Sequence, residues 1–171
     1  MSILILCSAY VGIAQTFNCR LHSRFVGSVK SINLYMQGEG SRRLVSSHPV
    51  NAEGVFSVTL PKVSAAYLAP ASHYFGSAKA SNGKARFSML WIDGTTTSGK
   101  AHSDYMGPSY NGKRTSGMML YVYATEPCKV EGNMQGMEIL LSLQAGWNVV
   151  KTQMGKMTQS NGTQGWKWGT E

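Results

Sequence analysis

FNCRLHSRFV, residues 17–26, alternates in character along its whole length. Phe17, Cys19, Leu21, Ser23 and Phe25 fall on one side of an extended chain, and Asn18, Arg20, His22 and Arg24 on the other. A period of two is what a half-buried strand requires. A helix would need its apolar residues three and four apart. The same period recurs outward from this stretch. After a Gly27-Ser28 turn, VKSINLYM (29–36) turns Ile32, Leu34 and Met36 inward. Residues 37–41 read as a turn and 42–47 as a return strand. VFSVTLP (55–61) alternates through Phe56, Val58 and Leu60, and Pro61 ends it by removing a backbone donor. KARFSMLWI (84–92) places Phe87, Met89 and Trp91 on one face.

Further strands are expected at 118–125, 128–132, 137–143 and 146–152, with Gln144-Ala145-Gly146 as a hairpin connection between the last two. The Ala- and Ser-rich stretch 62–83 offers one short helical turn near Ser64–Leu68, and Trp166 and Trp168 fit one face of a last edge strand. About eight or nine short strands with regular turn signals predict an all-β fold, a mainly antiparallel β-sandwich, with a β-barrel as the alternative. The apolar phases give a core of Phe17, Leu21, Phe25, Ile32, Leu34, Phe56, Val58, Leu60, Phe87, Met89, Trp91, Leu120, Val122, Ile139, Leu141, Trp147 and Val149.

The chain has 171 residues, 43 % of them hydrophobic and 14 % charged. That suits a single domain with a buried core and argues against coiled coils and charged helical bundles. Residues 2–14, SILILCSAYVGIA, are uncharged and almost continuously apolar, too short to span a bilayer as a helix. They match the apolar region of a secretory signal, with Gly12 and Ala14 as small residues before cleavage at Gln15. No Lys or Arg precedes the run, and the alternative is a buried first strand at Ile3–Leu6 in a cytoplasmic protein. Leu6 in front of Cys7 argues against lipid attachment there. The expected organisation is a signal at 1–14 and one β domain at 15–171, exported to the periplasm or beyond. Cleavage would leave Cys19 and Cys128, an even pair in an oxidising compartment, expected as a disulfide.

Sixteen Lys and Arg against eight Asp and Glu give a formal charge of +8. The stretch 93–117, DGTTTSGKAHSDYMGPSYNGKRTSG, has no hydrophobic period and reads as one long loop, a natural place for function. It carries Lys100, Tyr105, Tyr110, Lys113 and Arg114. Arg20, Arg24, Arg42 and Arg43 supply further cations. Basic groups interleaved with flat rings suit a polyanion: an anionic glycan, a lipid head group, or single-stranded nucleic acid, whose phosphates meet cations while bases stack on rings.

Catalytic patterns are weak. Gly94 to Lys100 has the G-x-x-x-x-G-K spacing of a phosphate loop, but Ala101 stands where Ser or Thr would hold Mg²⁺. His102, Ser103 and Asp104 are consecutive, and neighbours in an extended chain point apart, so they make no relay by themselves. No CxxC or His pair suggests a metal. No cofactor is expected, and the reading is non-enzymatic.

GVFSVTLP (54–61), YVYATEPCKVEG (121–132) and LSLQAGWNVV (141–150) together resemble small exported β-sandwich proteins of bacterial envelopes, particularly the deinococcal type. The match covers about two thirds of the segment after residue 14 and leaves out the tail beyond 153. It implies the sandwich and export, and carries no catalytic residues. The resulting expectation is an envelope binding or structural module that contacts an anionic ligand through a basic and aromatic surface, with nucleic-acid binding as the alternative.

Overall fold

A computed structural model of the chain describes residues 16–101, 107–110, 117–160 and 166–168. The fold is all-β. Its strands are β1 (Thr16–Arg20), β2 (Val29–Gln37), β3 (Arg43–Pro49), β4 (Val55–Thr59), β5 (Lys79–Ala80), β6 (Phe87–Thr96), β7 (Pro108–Tyr110), β8 (Met118–Ala124), β9 (Cys128–Met134), β10 (Met137–Leu143), β11 (Gly146–Gln153), β12 (Lys156–Gln159) and β13 (Trp166–Trp168). The one α-helix among the described residues, α1, is a single short turn of chain at Ala71–Phe75. None of the described helices is long and apolar enough to cross a membrane.

β1 and β4 form a small antiparallel sheet. The other strands form an eleven-stranded mixed sheet in the order β3-β2-β6-β8-β11-β12-β10-β9-β5, with β7 and β13 attached at β8. The sheet is open, so the barrel alternative does not hold. The pairing of β10 with β12 is parallel and the other strand pairs are antiparallel.

Two buried clusters lie on opposite faces of β6. Leu90 and Ile92 join Ile32, Leu34 and Met36 of β2 under Cys19, Phe56 and Val58 of the small sheet. Phe87 and Met89, one residue out of phase, join Phe75 of α1, Val130 of β9 and Ile139 of β10. β6 and β9 are five positions apart in the strand order, a span of about 24 Å in a flat sheet. Their side chains share one cluster, so the sheet coils back on itself. Burial on both faces is why β2, β6 and β8 hold apolar residues at consecutive positions.

The alternating stretch 17–26 is a strand only as far as Arg20. Leu21 leaves the ladder and bridges to Trp168. His22 then donates its N–H to the Trp168 carbonyl at 2.7 Å, and its ring Nδ1 accepts from the Arg24 N–H, opening a 3₁₀ turn at Ser23–Phe25. The turn delivers Phe25 to the core at the phase a strand would have given it, so the pattern does not distinguish the two.

Other expectations need correction. The expected Cys19–Cys128 disulfide is absent: both are free, buried thiols, Cys19 in the cluster under the small sheet and Cys128 in the cluster of the coiled half. The expected hairpin of β10 with β11 is also absent, because β12 lies between them in the sheet. The strand count exceeds eight or nine because β5, β7 and β12 have two, three and four residues, too few to show a period. The long loop 93–117 begins later than expected. Asp93–Thr96 continue β6, and Thr97–Gly99 form a turn closed by Thr96 N–H to Lys100 O at 2.8 Å. The Gly94–Lys100 spacing thus lies on a strand and a turn, not ahead of a helix. Trp91 is exposed rather than core, while Phe17, Leu120, Trp147 and Val149 are partly buried against the two clusters.

Candidate functional site

β6 is longer than the helix that covers it. α1 packs over its beginning, where Phe75 meets Phe87 edge to face at 5.5 Å, and the Tyr74 hydroxyl donates to the Gln37 carbonyl at the end of β2. Beyond that cover the same face of the sheet opens to solvent. There the ladders set Leu44 of β3, Tyr35 of β2 and Trp91 of β6 side by side across three strands. Leu44 is 56 % exposed and Trp91 37 %.

Arg42, just ahead of β3, lies over this row. Its guanidinium carbon is 4.9 Å from the Tyr35 ring centre and 5.9 Å from that of Trp91. Its Nη2 donates to Asp93 Oδ2 at 3.1 Å. Asp93 reaches it because β6 runs antiparallel to β2 and places Asp93 opposite Asn33, next along the same face. The row beneath is held by hydrogen bonds: Asn33 donates to Thr95 Oγ1 at 2.8 Å and accepts from Ser47 Oγ at 2.8 Å. A bulge between Leu34 and Tyr35 leaves Val45 unmatched and restores Leu44 to the open face. The result is a flat aromatic and aliphatic platform with a stacked guanidinium. Asp93 takes part of that donor fork, and among the described residues it is the one hydrogen-bond acceptor on the guanidinium.

Among the described residues the expected basic side chains do not converge, and Arg42 is the one of them that sits on the platform. Arg43 begins β3 opposite Met36 and is exposed. Arg20 and Arg24 belong to the small-sheet side, behind the large sheet, and Arg24 stacks on Phe25 at 5.5 Å. Lys100 is exposed after the 97–99 turn. Tyr110 is in β7, its backbone opposite Trp166. Tyr105, Lys113 and Arg114 lie outside the described residues. Of the platform residues, Asp93 falls in the stretch read as a functional loop, whereas Tyr35, Leu44 and Trp91 carry no site signal in the sequence. The period of KARFSMLWI (84–92) carries no signal of where the cover over that strand ends.

A second concave feature lies on the small-sheet side. A cavity of about 530 Å³ runs beside β1 and is lined by residues of β1, β8, β11 and β13. Burial pushes the Cys19 thiol there up to about 12, and burial, with the neighbouring Cys19, raises the Tyr121 phenol as well. No group of three or more His, Cys, Asp or Glu side chains among the described residues could hold a metal. Comparison with models of protein families, with curated proteins and with solved structures gives no match.

Proposed function

We propose that this chain is a non-enzymatic binding module, exported to the cell envelope, that holds an anionic glycan on the open face of β3, β2 and β6. The observation that carries the reading is Arg42 over Tyr35 and Trp91 on a sheet face where Leu44 and Trp91 are exposed. Sugar rings lay their C–H faces on exposed aromatic rings, and a guanidinium beside them offers paired donors to a carboxylate or sulfate. Asp93 holds the guanidinium over the rings and supplies an acceptor for ring hydroxyls. The net charge of +8 adds a long-range attraction for polyanions. Export rests on the apolar segment 2–14 and on the envelope-protein resemblance.

The test is a titration of the folded protein with an anionic polysaccharide and with a single-stranded oligonucleotide over a range of salt. The polysaccharide is expected to bind more tightly. Trp91→Ala is expected to weaken it about tenfold or more, the loss typical of a stacking platform. Arg42→Ala is expected to weaken it and to flatten the salt dependence. Preference for the oligonucleotide would favour nucleic-acid binding on the same platform. Unchanged polysaccharide affinity in both variants would remove this face from the site.

A further inference from the structure

We infer that the opening between β3 and β4 binds an extended acidic peptide as an added strand. β3 ends the large sheet and β4 belongs to the small one. Residues 50–54 join them, yet the two strands do not pair. Asn51 ties the arms where they meet. Its N–H donates to the Val55 carbonyl at 3.0 Å, and its Oδ1 accepts from the Val55 N–H at 2.7 Å. Further along, a groove of about 650 Å³ lies between residues 44–48 of one arm and 59–62 of the other, with Tyr67 in its wall.

Backbone direction fits this groove to a chain. The Val50 N–H donates to the Lys30 carbonyl at 2.9 Å, and bonding in an antiparallel ladder alternates. Ser46 and His48 therefore bond to β2, and the Ser47 N–H and C=O point away from it. On the other arm the Leu21 N–H donates to the Gly54 carbonyl at 2.9 Å. By the same alternation Phe56 and Val58 bond to β1, and the backbone groups of Ser57 and Thr59 point away from it. Among the described residues no strand pairs with either edge. An inserted strand would find donors and acceptors on both sides. Pro49, at the next outward position of β3, has no N–H to offer and confines the usable edge to the groove.

Side chains and charge select the sequence of that strand. Leu60 is buried in the cluster under the small sheet, and Val45 and Tyr67 pack partly against the same cluster. All three line the groove, so the inward residues of a guest meet an apolar wall. Outward, Lys62 is exposed, and Arg43 is exposed at the start of β3. No Asp or Glu is among the described residues that line the groove. A peptide that alternates apolar and acidic residues satisfies both faces at the period of a strand. A second copy of this chain, itself at +8, would bring cations to cations.

The experiment is isothermal titration of the full chain with a blocked heptapeptide of alternating Glu and Val. Three comparators are used: the same peptide with Lys for Glu, and two acidic forms N-methylated at the Glu or at the Val amides. Each methylated form keeps charge and side chains and loses the donors along one edge. Both are expected to bind about tenfold more weakly than the parent, and the Lys peptide weaker still. Lys62→Glu changes an exposed side chain and is expected to lower affinity for the acidic peptide about tenfold while the melt is unchanged. Trp91→Ala is expected to leave peptide affinity as it is, which separates this groove from the Arg42 platform. No binding of the acidic peptide, equal binding of either methylated form or of the Lys peptide, or unchanged affinity in Lys62→Glu would each overturn the proposal. Loss of binding in Trp91→Ala would place the peptide on the platform, and self-association of the chain that the peptide abolishes would assign the groove to a second copy; either overturns it as well.

Discussion

Gly132 sits on β9 at φ +148°, and a Cβ built there would lie 2.6 Å from the Ala78 Cα. Both the backbone angle and the close approach require glycine, because the segment entering β5 is pressed directly onto β9 at this point. Gly132→Ala is therefore expected to cost about 2–4 kcal/mol, from overpacking against backbone and a strained φ together. Gly136, at φ +86° with nothing within 4 Å of its would-be Cβ, pays only the conformational part. Gly136→Ala should cost about 1 kcal/mol in the same urea melts. Equal losses in the two variants would refute the close-packing argument. The contrast also marks what single residues reveal in sequence. Both glycines look like turn residues, and only the fold brings Ala78 against one of them. Trp91 is the parallel case at the binding face. Its phase with Phe87 and Met89 is legible, and it does share their face. Whether that face is covered as far as Trp91 depends on where α1 ends, which period alone does not encode.

Strand existence was more legible than strand partnership. The phases of β2, β4, β6, β8 and β10 are present in the residues, because alternation is local. The connection from β10 to β11 is not, because its geometry is set by one side chain and by a strand that comes later. Asn148 is buried, and its Oδ1 accepts from the Gln144 N–H at 2.9 Å. Its Nδ2 donates to the Gln144 and Gly146 carbonyls, each at 2.9 Å. These bonds turn the chain so that β11 departs to pair with β8 and leaves room for β12 beside β10. A Gly-containing link of this length otherwise reads as a hairpin. Asn148→Ala leaves the half-exposed Gln144 N–H and the Gln144 and Gly146 carbonyls without this partner and is expected to destabilise the fold by about 1–3 kcal/mol. Asn148→Asp keeps the acceptor and loses the two donations, so it should also be destabilising. If Asn148→Ala melted like the native chain, the connection would owe its path to β12 alone.

For the molecule as a whole, the balance of charge and the chemistry of its core predict opposite responses to alkali. The chain is strongly basic, with a pI near 9.5, so raising the pH toward that value relieves surface repulsion and would by itself add stability. The interior points the other way. Burial raises the Cys19 thiol from 9.0 to about 12, and burial also raises the Cys128 thiol and the Tyr74 and Tyr121 phenols. Each group holds its proton more tightly folded than unfolded. Between the two pKa values the native state therefore binds more protons, and stability falls as pH rises. The contribution is complete below pH 9, the unfolded thiol value, and is lost through the window from 9 to about 12. The shift at Cys19 outweighs a repulsion spread over a whole surface, since each unit of pKa difference corresponds to about 1.4 kcal/mol. Urea melts from neutral pH to about pH 10.5 should show declining stability over the upper part of that range. Cys19→Ala should make the decline shallower without removing it, because three further buried acids remain. Since both thiols are free, a reductant should leave the neutral-pH melt unchanged. A profile that rises toward the pI, or a Cys19→Ala profile parallel to the native one, would mean that surface charge and not the protonated core governs the alkaline limit of this fold.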